Sequence, residues 1–358
     1  MSAANLTAPF RRRVGPAGVV VLLLAAAACG GSPSSSGQPV GTPAPTVTAP
    51  PTTGAGWSAV EPALPPCQGV AVTVGGDVAA AAAHSPAGAT LCLAAGAYVT
   101  TVPIRLKAGD TLEGAGRTAT VITASGAPQV ITAHGASGVT VEGLAVTGAT
   151  GTRACKPQCG VGLLGGPGTV VFDVHVYGNV NHGIGGGMPG GTIRDSEIDH
   201  NGFSPDFAGC CNSGIKGGSA FTIENSYVHD NTGPGVWCDV GCGGGTTFIV
   251  RGNLIASNSG AGVRYEISAA PTVIEDNVFL GNNTSGEANK GSVNIVGSAN
   301  VTVAGNTFEQ TVGGQAVTVT ADGRGVAAAN IKVTGNRLNA EAVVGCTTTA
   351  TVQCAGNH

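Results

Sequence analysis

A phrase recurs along this chain every 22 to 30 residues: a strand rich in β-branched residues, an N-x-[VIL] step, an Asn turn, then Gly-[VI] and another strand. It reads clearly at SEIDHN (196–201), SYVHDN (226–231), NLIASN (253–258) and NVFLGN (277–282). Weaker copies lie at LAVTG (144–148), VHVYGN (174–179), NTFEQ (306–310) and NRLNA (336–340). The matching apolar residue of each copy is Val146, Val176, Ile198, Val228, Ile255, Phe279, Phe308 and Leu338. A repeat of this length is one supersecondary unit that buries its apolar side only against its neighbours. Alternation with period 2 inside each unit makes the segments strands rather than helices.

Composition narrows the function classes. Only 10% of residues are charged and the formal net charge is −4, so no basic stripe exists to meet phosphates and nucleic acid is excluded as a partner. The 60 glycines follow no collagen period and punctuate strands, as a coil that turns sharply several times per repeat requires.

Residues 1–28 read as an export signal: Arg11, Arg12 and Arg13 precede the apolar stretch Val19 to Ala28, which is too short for a stable membrane span. Ala26-Ala27-Ala28-Cys29 resembles a bacterial lipobox, which implies lipidation of Cys29 and a cell-membrane anchor; plain secretion is the alternative. Residues 29–56 are Pro, Ser, Thr and Gly without apolar periodicity and read as a tether. One domain, 57–358, is expected to fold, as a monomer.

Setting Cys29 aside leaves ten cysteines, an even number in an exported chain, which points to disulfides rather than a zinc site. Cys67 with Cys92, and Cys346 with Cys354, would staple the two ends of the domain. The pairing of Cys155, Cys159, Cys210, Cys211, Cys238 and Cys242 stays open. At the entry, Asp77 is placed to cap a short helix over 78–84 that would cover the open end of the coil.

A helix, then LAAGAY (93–98), then DTLEGAG (110–116), then N-x-[VI]-x-x-N-x-G-x-G-[VI] coils together resemble the right-handed parallel β-helix proteins of the pectate-lyase-like superfamily, over about residues 67 to 340. The resemblance implies an all-β right-handed parallel β-helix (a solenoid) of nine or ten coils with a short N-terminal capping helix. Polysaccharide lyases, hydrolases and epimerases share that fold with proteins of no known chemistry.

The Asn column (Asn179, Asn201, Asn231, Asn258, Asn282) is expected to be a structural ladder, its amides bonding to one another and to backbone. After each Asn turn, GIGGG (183–187), GIKGG (214–218), GVWCD (235–239), GVRYE (262–266) and SVNIV (292–296) align. The β-branched second position must face the core, so the third and fifth face out. The third column is Gly185, Lys216, Trp237, Arg264, Asn294; the fifth is Gly187, Gly218, Asp239, Glu266, Val296. With strands about 4.8 Å apart, Lys216, Trp237, Asp239, Arg264 and Glu266 share a patch roughly 10 Å across.

That patch suggests a carbohydrate-active enzyme for an extracellular acidic polysaccharide. Lys216 and Arg264 would neutralise a uronate carboxylate and one of them would take its α-proton in β-elimination. Asp239 and Glu266 would bind substrate or share a Ca²⁺, as the resemblance to calcium-assisted lyases implies. An exposed Trp237 would stack on sugar rings, with Asn294 and His182 as further binding residues. Hydrolysis by an Asp239/Glu266 pair and a non-catalytic glycan-binding or structural role are the alternatives. The alginate-epimerase branch is disfavoured, because GVWCDV (235–240) lacks that branch's Pro and His. His200 and His229 are expected to be solvated turn residues.

Overall fold

The repeat closes into a tube because every strand pairs in parallel with the equivalent strand one coil on. In the computed structural model, which describes residues 57–152, 158–207, 211–243, 245–288, 290–345 and 351–358, the described strands form one sheet of ten and one of nineteen. Cys29 and the residues of the expected signal and tether lie outside the described residues.

The larger sheet makes two walls. Its long strands Thr140–Thr147 and Val170–Tyr177 each run across both, whereas later coils break at a corner, as between Thr192–Arg194 and Glu197–Asp199. The corner residues Asp173, Asp195, Asn225 and Asp276 have φ of 48° to 55°, the left-handed region that Asn and Asp tolerate best. A ladder follows directly: Asn253, Asn277, Asn306 and Asn336, all buried, and the half-buried Asn357 pass a side-chain bond from one coil to the next at 2.9–3.0 Å. Asn253 and Asn336 stand in the N-x-[VIL] step and Asn277 and Asn306 in copies that end in Phe, so that step is a second ladder as well as a strand signal, with Asn357 added at its end.

The expected Asn ladder stands at the next corner. Asn179, Asn201, Asn231, Asn258 and Asn282 are linked by amide-to-amide bonds of 2.9–3.1 Å, and backbone carbonyls accept further N–H groups of these amides. Between the ladders, Val146, Val176, Ile198, Val228, Ile255, Phe279 and Phe308 pair in register and are fully buried, with Leu338 packed against them.

The third wall is the ten-stranded sheet. Its central strands are His182–Gly186, Ser213–Gly217, Val236–Cys238, Val263–Glu266 and Val293–Val296. At the entry end the α-helix Val78–His84 covers the tube with Val78 and Ala82, and the Asp77 carboxylate accepts a bond from Ala80 N–H at 2.9 Å.

Cys67–Cys92 forms as expected, and Cys238–Cys242 closes a tight loop that carries Asp239. Cys159 and Cys354 are also disulfide-bonded. Cys155, Cys210 and Cys346 lie outside the described residues, and Cys211 is buried beside Phe207 and Val180.

Candidate functional site

On the third wall the pairing runs Gly185–Lys216–Trp237–Arg264–Asn294, strand by strand, and Glu266 pairs with Val296. Val236, Cys238, Val263 and Tyr265 belong to the core, so Trp237, Arg264 and Glu266 between them face out. The sequence register is therefore the observed one.

What surrounds those side chains differs from the expectation. Trp237 is only 7% exposed. Lys216 of the preceding coil holds its Nζ 3.5 Å from the indole centroid, and the Arg264 guanidinium of the following coil lies 5.0 Å from it. Cations on an indole face are attracted by its quadrupole, so the ring is held between two charges and offers no open face to a sugar. The indole Nε1 donates to Glu266 Oε2 at 3.0 Å, and so does Arg264 Nε at the same distance. Arg324 Nη2 reaches the other Glu266 oxygen at 3.5 Å from a loop 58 residues further on. That loop sits close because Gly325 has no Cβ: one there would lie 2.3 Å from Gly297 O. Lys216 Nζ also lies 3.2 Å from Asp239 Oδ2.

Two further expectations are corrected. Asn294 is buried and its Oδ1 accepts a bond from Thr318 Oγ1 at 3.1 Å, so it does not face a ligand. His182, 2% exposed, bonds Ser213 Oγ at 3.0 Å instead of rimming a cleft. Burial first, then the charge of Lys216, holds its imidazole well below the usual histidine range. Beside these side chains lies an open floor: a Cβ at Gly218 would meet nothing within 4 Å and one at Gly187 only Ser219 Oγ at 3.8 Å, whereas one at Gly185 would lie 3.3 Å from Val161 Cγ1. The exposed parts of Lys216, Asp239 and Arg264 border it.

The fit of calcium to Asp239 and Glu266 is poor. Glu266 is already engaged by an indole N–H and two guanidinium groups, and a dication there would meet like charge.

A second group of side chains, which no motif in the sequence marks, lies on the second wall. His175, Glu197 and Tyr227 form one outward column; Tyr177, Asp199 and His229 form the next. His175 Nε2 and His200 Nδ1 each lie 2.5 Å from an Asp199 oxygen. His229 bonds Glu197 Oε1 through Nε2 at 3.2 Å and Asp230 Oδ2 through Nδ1 at 2.7 Å. Aromatic rings pack the edge: Tyr177 stacks on His175 at 4.4 Å and Tyr227 on His229 at 3.7 Å, and Trp57 meets Tyr227 at a tilt, 4.9 Å between centroids. His229 is thus buried and bonded rather than a solvated turn residue, whereas His200 remains exposed in the turn at φ 49°. Burial alone would lower the His229 pKa, but its bonds to Asp230 and Glu197 and the charge of Asp199 outweigh it and push the value up to about 9. Burial and the same three carboxylates push Tyr227 up to about 12, so its phenol stays protonated. The signal for this patch was present in the sequence, since the alternation that faced Lys216 outward also faces His175, Glu197, Asp199 and His229 outward.

The Right handed beta helix region family model matches residues 129–308 and 206–357, and the chain belongs to this family. Among solved structures, the chain is similar to the catalytic unit of a thermostable GH87 alpha-1,3-glucanase from Streptomyces thermodiastaticus (TM-score 0.54, 17% identity, covering 84% of this chain and 70% of that one). It is also similar to an alginate lyase from a Paenibacillus species (TM-score 0.52, 17% identity, covering 81% and 94%). At these identities the likeness is one of fold. No curated protein matches the sequence.

Proposed function

We propose that this is an exported carbohydrate-active protein, held at the cell membrane through Cys29 or secreted, that acts on an acidic polysaccharide by lyase-type β-elimination on the third wall. The observation that carries the reading is the glycine floor at Gly187 and Gly218 beside Lys216, Asp239 and Arg264, in a chain with few charges. The fold shared with an alginate lyase is consistent with it. A uronate carboxylate entering over the floor would be held by the guanidinium of Arg264, which neutralises its charge and sets the α-carbon near Lys216. Withdrawing that charge acidifies the α-proton. Arg264 stays charged and keeps the carboxylate, while Lys216 in its neutral form takes the α-proton as the β C–O bond breaks, the carbon–carbon double bond forms and the leaving oxygen recovers a proton from the lysine or from water. No step here uses calcium.

One observation favours a second reading, a non-catalytic glycan-binding or structural β-helix. Trp237 and Glu266 already have their bonding groups occupied by neighbours, as in a stabilising ladder. Hydrolysis by Asp239 with Glu266 is the least supported, since Asp239 is paired with Lys216 and Glu266 is engaged by Trp237, Arg264 and Arg324.

Incubation of the full chain with a panel of uronate polymers, followed by absorbance of the unsaturated product, tests the proposal. Product is expected, with a roughly 10²–10⁴-fold loss in Lys216→Ala. Absence of product from every polymer, with retention on one of them, would establish the binding reading instead.

A further inference from the structure

We propose that His175, Glu197 and Asp199 on the second wall form a binding site for a divalent transition-metal ion of the zinc type. One donor atom from each, an imidazole nitrogen and two carboxylate oxygens, lies within 4.8 Å of the others. Mixed imidazole and carboxylate donors at about 2.0–2.2 Å are the chemistry of zinc, with a fourth position left for water or substrate. Widening the 2.5 Å contact between His175 Nε2 and Asp199 Oδ1 to about 3.4 Å would seat one ion between them.

The surroundings suit a metal site better than a salt-bridge ladder. The described ion pairs of Glu197, Asp199 and Asp230 are all with histidines, whereas the described ion pairs of the third-wall patch are with Lys or Arg. A neutral imidazole can offer a lone pair to a metal; guanidinium and ammonium groups have none to give. Each carboxylate is also held by a second histidine: His200 on Asp199 Oδ2, and His229 on Glu197 Oε1. Such outer partners fix the orientation of metal ligands. The ligands stand on neighbouring, hydrogen-bonded strands, and Tyr177 stacked on His175 limits the rotation of its ring. Three of the chain's seven histidines meet here, and His175 and Glu197 remain about a quarter exposed, open to an ion from solvent. The site lies on another wall from the proposed polysaccharide face and does not depend on that reading.

The test is calorimetric titration of Zn²⁺ into the full chain, made without a polyhistidine tag and stripped by chelator. Co²⁺ absorption spectra report the coordination. One ion per chain is expected. His175→Ala and Asp199→Asn should each weaken binding at least tenfold and alter the Co²⁺ spectrum, while Lys216→Ala leaves both unchanged. Glu197→Gln, close in shape to the native residue, serves if either variant fails to fold. Lack of stoichiometric uptake would overturn the proposal. So would uptake unaffected by His175→Ala, or Ca²⁺ binding as tightly as Zn²⁺.

Discussion

The second and third walls carry patches built in the same way, from outward positions on consecutive coils, yet the two patches differ in chemical state. On the third wall, fixed cations meet carboxylates across an indole, and most donors and acceptors are used up. On the second wall, the cationic partners are imidazoles, which can be charged or neutral and can trade a carboxylate for another ligand. A solenoid supplies the row; the residue types decide whether the row closes on itself or stays available.

The largest expected effect tests closure on the third wall. Trp237→Ala removes a buried indole and strands Glu266 without one of its donors, and should cost about 3 kcal/mol in denaturant unfolding. An unchanged unfolding midpoint would mean that the indole is free for a ligand, and the two patches would then be alike.

Next is a pH effect confined to the second wall. The folded pKa of His229, about 9, exceeds the ordinary value of 6.5. Its stabilisation is therefore complete below about 6.5 and disappears as pH rises through about 9. His229→Gln should abolish this contribution, about 3 kcal/mol, and flatten the stability profile of the metal-free protein between those limits. A profile that keeps its slope in the variant would show that other groups set it.

The smallest effect separates packing from surface charge. Arg324 is more than half exposed, so Arg324→Ala should cost less than about 1 kcal/mol, and salt should reduce that further. A larger loss, insensitive to salt, would make the Arg324 loop an essential cover of Glu266.

Much of this was legible in the sequence. The period of the repeat, the core column from Val146 to Phe308, the Asn ladder, the helix behind Asp77 and the Cys67–Cys92 staple all follow from local pattern. The strand register was legible as well. A slip of one residue would turn Ile215, Val236 and Val263 out to water and Lys216, Trp237 and Arg264 into the tube, at a cost no coil could bear.

The exposure of the site was not legible. Trp237 is covered by side chains of two neighbouring coils, and Glu266 is reached by an arginine from a loop outside the repeat, so no local pattern announces either contact. The second-wall patch was missed for a related reason. His200 and His229 read locally as turn residues and no motif marks His175, whereas His175 and His229 meet carboxylates 24 and 32 residues away. Sequence alone determined which way each side chain points, because backbone pairing and the period of 2 leave one solution. The tertiary structure decided what each side chain meets there, because that depends on rotamers and loop paths that the repeat does not constrain.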